Sequence, residues 1–143
     1  MDIALVEHIA DIPPEQFDLL DPAVGVVACH AKVQQREIDG RWRVTYLRGT
    51  GEGRLKAAIP LYACRLPDWS DPAYDPRTWP LPPEVREDCT TARCLVVENY
   101  EDRCSGLHVE HSAREPRQLR QVLAAMARVA AAQDRCLSFP YFT

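Results

Sequence analysis

His108, Glu110 and His111 fall in one short run just ahead of a long amphipathic stretch. On an extended chain alternate side chains share a face, so His108 and Glu110 would project together and His111 the other way. A carboxylate or imidazole within hydrogen-bond reach can take the proton of an attacking amine, which makes Glu110 and His108 the candidate general bases. Simple polar and apolar alternation on a half-solvated strand places the same residue types at the same positions and is the competing reading. A second constellation is Cys89, Cys94, Cys104 and His108, which together carry the residue types of a Cys3His zinc site. Their spacing is wider than that of the usual knuckle, and Cys94 starts a predicted strand. No metal is therefore expected, with zinc on these four residues as the alternative. Cys29, Cys64 and Cys136 read as small core hydrophobes.

A third set is aromatic. Residues 65–91 carry Pro67, Pro72, Pro76, Pro80, Pro82 and Pro83 interleaved with Trp69, Tyr74 and Trp79. An ordered loop of this length can line a cleft, where the three rings would stack on a substrate, or the rings can anchor the loop to its own domain. The run Gly49-Thr50-Gly51-Glu52-Gly53 has the glycine content of a phosphate loop, but it joins two predicted strands instead of a strand and a helix, so a hairpin is expected there.

The elements that must position these residues follow from periodicity. Residues 2–8 alternate as a strand, and Pro13-Pro14-Glu15 opens a short helix reaching Leu20. A second helix is expected within 24–37, before the Asp39-Gly40 turn. Trp42–Arg48 and Leu55–Cys64 form an antiparallel pair, in which Pro60 removes a ladder donor and signals an edge, bulge or bend instead of a central strand position. Ala92–Glu98 and Leu107–His111 read as two more strands. Ser112 to Glu115 resembles a capping box, and Leu119, Val122, Leu123, Met126, Val129 and Ala130 recur at helical spacing as one apolar face. The chain then closes on the apolar, aromatic stretch 136–143, a strand whose sheet neighbours are expected from a second lobe. An α/β (α+β layered) domain with a mixed, mostly antiparallel sheet and packed helices is the predicted fold, one lobe over residues 1–143 with the proline-rich insert at 65–91.

Composition bounds the function classes. Of the 143 residues 46% are hydrophobic and 27% charged, ordinary for a soluble globular domain, and no apolar run is long enough to span a bilayer. The N-terminus lacks a basic segment followed by an apolar core, so a cytoplasmic location is expected. There the six cysteines would be reduced thiols or metal ligands and not disulfides. With a net charge of −4 and cations scattered among acids, direct nucleic-acid binding is not expected.

Three segments resemble the N-terminal lobe of the Gcn5-related N-acetyltransferase (GNAT) superfamily, in the branch of FemABX-like aminoacyl transferases and peptidoglycan-biosynthesis (BioF2-like) acyltransferases. They are Ile12 to Leu20, the hairpin ending Lys56-Ala57-Ala58-Ile59-Pro60-Leu61-Tyr62, and Leu119 to Ala132 followed by Leu137-Ser138-Phe139-Pro140-Tyr141. The resemblance implies an acyl- or aminoacyl-transferase lobe acting on a small-molecule amine in bacterial cell-wall or secondary metabolism. Its second lobe would come from a homodimer or from a complementary acyltransferase-lobe protein. An acyl-CoA, acyl-carrier or aminoacyl-tRNA donor would then be held through that partner lobe, because the glycine-containing pyrophosphate turn of CoA-binding relatives has no counterpart ahead of the long helix. A non-catalytic binding or scaffolding subunit derived from the same fold is the alternative.

Overall fold

The computed structural model describes residues 1–20, 29–69, 75–97 and 108–139. Its framework is a five-stranded mixed sheet in the order β1-β2-β3-β4-β5. The strands are β1 Asp2–Val6, β2 Trp42–Gly51, β3 Arg54–Cys64, β4 Cys94–Val96 and β5 Cys136–Ser138, and the helices are α1 Pro14–Asp18, α2 His30–Asp39, α3 Pro83–Asp88 and α4 Pro116–Ala132. The first four strands pair antiparallel, whereas β5 returns through α4 to lie parallel to β4.

Local chemistry explains most boundaries. Prolines occupy the first turns of α1, α3 and α4, where a missing N–H costs no helical hydrogen bond. The Asp18 carboxylate caps α2 from outside by accepting from the His30 N–H at 2.7 Å. Helix α2 stops at Gly40, whose φ of 77° is left-handed. The hairpin turn is tighter than the glycine run predicts: both strands extend to a two-residue turn at Glu52 and Gly53, with φ of 56° and 75°. The sheet takes up the additional residue as a register shift at Gly49/Thr50.

Strand β3 is buried along almost its whole length because it is covered on both faces. Ala58 and Tyr62 pack with Phe17, Ile12 and Val33 beneath α1 and α2. Ala57, Ile59 and Leu61 pack with Val122, Ala125 and Met126 of α4. Full burial of an aliphatic side chain such as Ile59 or Leu61 stabilises by about 1.5–3 kcal/mol, so this two-sided strand anchors the fold.

Several sequence expectations are corrected here. Pro60 lies in this central strand, paired with Tyr46, and not at an edge. Its neighbour Ala58 donates its N–H to His108 O at 2.9 Å, on the side away from β2, so the donor that Pro60 lacks points to that same side. The described pairing there occurs only at Ala57 with Val109 and at Tyr62 and Ala63 with β4, so no described ladder bond is lost. The segment Leu107–His111 is not a strand among the described residues: a single bridge at Val109 is followed by a 3-10 turn at His111–Ala113. The ordered loop expected over 65–91 carries elements of its own among the described residues, a 3-10 turn at Pro76–Thr78 and helix α3. The capping box at Ser112 does not form; α4 begins at Pro116 without a side-chain cap. Leu123 is exposed on α4, its place on the apolar face taken by Ala125. Of the aromatic C-terminal stretch, β5 is an edge strand at Cys136–Ser138, and 140–143 lie outside the described residues.

Candidate functional site

The bridge at Val109 sets the environment of both candidate bases. Glu110 N–H donates to Lys56 O at 2.8 Å, which brings its side chain beside the even-numbered residues that begin β3. Its carboxylate is then fully engaged. Lys56 Nζ donates to Oε2 at 2.8 Å, Arg54 lies 2.6 Å from Oε1, and the Ser112 hydroxyl donates to Oε2 at 2.6 Å. The Lys56 ammonium, followed by the Ser112 hydroxyl, holds the Glu110 carboxyl below the usual carboxylate range, and the Lys56 ammonium is in turn raised chiefly by its bond to Glu110. A general base is most effective with a pKa near the working pH, and Glu110 has been moved away from it. A recess of about 410 Å³ opens beside this cluster, lined among others by Arg54, Lys56, Glu52 and Ser112.

His108 is placed elsewhere. It is only 4% exposed, and its ring stacks on Phe17 with centroids 4.9 Å apart. Phe17 also meets His30 edge-on, and His30 Nε2 lies 3.0 Å from the carbonyls of both Ile9 and Ile12. Phe17 therefore carries an imidazole on two sides, and His108 is a packing residue of the α1/α2 layer. Glu110 and His108 come from one segment but do not converge on a reaction centre.

Among the aromatics, Trp69 donates its indole N–H to Cys89 O at 3.1 Å and packs against the core on the α1/α2 side. This is the anchoring role. Trp79 is half-buried at the end of the 3-10 turn, and Tyr74 lies outside the described residues.

The residues of the zinc alternative are divided in the structure. Cys89 and Cys94 do come together, but the third sulfur beside them is that of Cys136; all three Sγ atoms lie within 4.8 Å of one another. His108 stacks on Phe17 instead, and Cys104 lies outside the described residues. Cys136, expected in the core, is exposed, and its Sγ is 3.4 Å from that of Cys94. Three features hold the trio. Cys94 and Cys136 are register partners across the parallel β4–β5 pair. The turn at 91–93 folds the end of α3 back onto β4, with Arg93 N–H donating to Thr90 O at 3.0 Å. Arg135 clamps the turn by donating to Thr91 O at 3.3 Å and to Cys94 O at 3.1 Å. Burial raises the thiols of both Cys89 and Cys94, and the neighbouring Cys136 adds to the effect.

Two further features carry no sequence signal strong enough to find them. Glu37 is a hub that accepts from Ile9 N–H at 2.8 Å and Tyr46 OH at 2.8 Å and pairs with His8 Nδ1 at 2.9 Å. Ser138 is 5% exposed, and its hydroxyl has no hydrogen-bond partner among the described residues. Both depend on long-range register, which local periodicity does not encode. No described helix is long and apolar enough to cross a membrane. Compared with protein-family models, curated proteins and solved structures, the chain has no match.

Proposed function

We propose that this chain is one lobe of an acyl- or aminoacyl-transferase, with a second lobe from another copy or a separate protein completing the transfer site. The observation that supports this reading is the change of strand sense at β4–β5, where an antiparallel sheet gains one parallel strand through α4. Open sheets of this kind bind ligands beyond the carboxyl ends of their strands, at the point where the connectivity changes. In this chain those ends are Val96 and Ser138, and Ser138 offers a buried hydroxyl with unused hydrogen-bonding capacity. The outer edge of β5 pairs with no strand among the described residues and can take one from a second lobe.

In the transfer, the lone pair of a substrate amine attacks the acyl carbon, a C–N bond forms, and the C–S or C–O bond to the donor breaks. The amine proton leaves with the departing thiol or hydroxyl. Orientation of amine and acyl group by the lobe pair supplies the main rate enhancement. Glu110, held by Lys56 and Arg54, is a brace of the lobe and not the base. The donor, an acyl-CoA, acyl-carrier or aminoacyl-tRNA thioester or ester, is held mainly by the second lobe.

Transfer of a labelled acyl group from a thioester to an amine is measured for the chain alone and with its genomic neighbours. Turnover that requires a complementary lobe, falls in Ser138→Ala and survives in Glu110→Gln is expected. A non-catalytic binding or scaffolding role is the second reading, favoured by the structural engagement of both Glu110 and His108. Stable association with a neighbour but no thioester binding by the pair would establish it and overturn the transferase.

A further inference from the structure

We propose that Cys89, Cys94 and Cys136 form a three-thiolate site for a soft divalent cation, zinc, with a fourth coordination position open to solvent. A tetrahedral ion with Zn–S bonds of about 2.3 Å sets its sulfurs about 3.8 Å apart. The separations here bracket that value, from 3.4 Å between Cys94 and Cys136 to at most 4.8 Å across the trio.

The chemistry of the donors points the same way. Three thiols that meet at a partly buried corner are poor hydrogen-bond partners for one another, and only a cation can favour three thiolates in so small a space. Binding breaks three S–H bonds, forms three Zn–S bonds and releases three protons to solvent; nothing is oxidised or reduced. The product carries one net negative charge, and the guanidinium group of Arg135, which donates to Cys94 O at 3.1 Å, offsets it. Soft thiolate sets favour zinc over the hard cations that carboxylates and carbonyls select. Exposure of Cys136 gives the ion its way in, while Cys94 is fully buried. Each ligand is also braced through its backbone: Cys89 O accepts from Trp69, Cys94 O from Arg135, and Cys136 N–H donates to Arg93 O at 2.7 Å. Supporting contacts of this kind orient a first coordination sphere. The site joins α3, β4 and β5 and does not depend on acyl transfer.

The test uses the full chain, purified under reducing conditions and titrated with Zn²⁺ and with Co²⁺. About one equivalent of metal is expected, with the thiolate-to-cobalt charge-transfer band and the intense visible bands of a tetrahedral sulfur-rich site. Because Cys136 is exposed, Cys136→Ser keeps the fold, verified by circular dichroism, and is expected to weaken Co²⁺ binding by more than about 100-fold, beyond the range for loss of a supporting contact. Cys29→Ser, outside the trio, is expected to bind as the parent does. Unchanged binding in Cys136→Ser, cobalt binding without a thiolate band, or a metal-free Cys94–Cys136 disulfide in the reduced preparation would each overturn the site.

Discussion

Two corners of the same sheet collect reactive side chains, one at Glu110 beside the start of β3 and one at Cys89, Cys94 and Cys136 beside β4 and β5. At the first, opposite charges meet: Arg54 and Lys56 flank a single carboxylate, and Ser112 supplies a further donor. Every oxygen is satisfied from within the chain, and the result is a brace. At the second, like groups meet: Cys94 and Cys136 bring their sulfurs to 3.4 Å, Cys136 Sγ donates to Arg93 O at 3.3 Å, and no described cationic side chain bonds a sulfur of the trio. A cluster whose members complete one another is structural, whereas one that needs an outside ion or ligand marks a site. Glu110 and His108, the bases expected from sequence, lie in the brace and against Phe17, and the proposed metal site lies at the other corner.

The largest effect that tests this division is expected at Phe17. Phe17→Ala removes the ring against which both His30 and His108 pack, and a loss of about 3–5 kcal/mol in denaturant unfolding is expected for a buried aromatic truncation. A neutral result would return His108 to the list of available bases. A smaller effect is expected at the brace, where Glu110→Gln costs about 1–2 kcal/mol near neutral pH through the loss of charged hydrogen bonds. The folded carboxyl lies below its ordinary value of 4.5. Its contribution is therefore fully present above that value and is lost as pH falls through the folded one, so parent and variant should converge in acid. Chemical denaturation across that window checks the sign; divergence in acid would break the assignment.

Ser138→Ala sharpens the comparison from the other side. A buried hydroxyl without a partner contributes nothing by hydrogen bonding, so the variant should be neutral or more stable by up to about 1 kcal/mol, while transfer by the assembled lobes falls. The smallest expected effect is at His8, whose imidazole is raised above 6.5, chiefly by its hydrogen bond to Glu37. The stabilisation it contributes is present below 6.5 and is lost as pH rises through the folded value. A proton-carbon NMR titration should show the His8 midpoint move down in Glu37→Gln; an unmoved midpoint would remove the pair from the account.

The parts of this fold that were legible were local. Helix α4 announces itself through apolar spacing at Val122, Met126, Val129 and Ala130, and the β2–β3 hairpin through glycines between two β-rich runs. Burial of β3 on both faces is not legible in this way: Pro60 suggests an edge, because the direction of its missing donor depends on which neighbour lies on each side. Leu107–His111 misleads for a related reason: alternation is present, but among the described residues the ladder with β3 is a single bridge before the chain turns at His111–Ala113. The cysteine trio was illegible as a set. Spacing finds ligands that share a turn, and Cys136 reaches Cys94 only through the parallel register made by α4.

X-ray absorption at the zinc edge of the metal-loaded full chain is the most direct measure of whether the β4–β5 corner holds an ion. A shell of about three sulfurs near 2.3 Å with one lighter scatterer is expected. A shell of nitrogen and oxygen alone would place the metal elsewhere and contradict the distinction between the two corners.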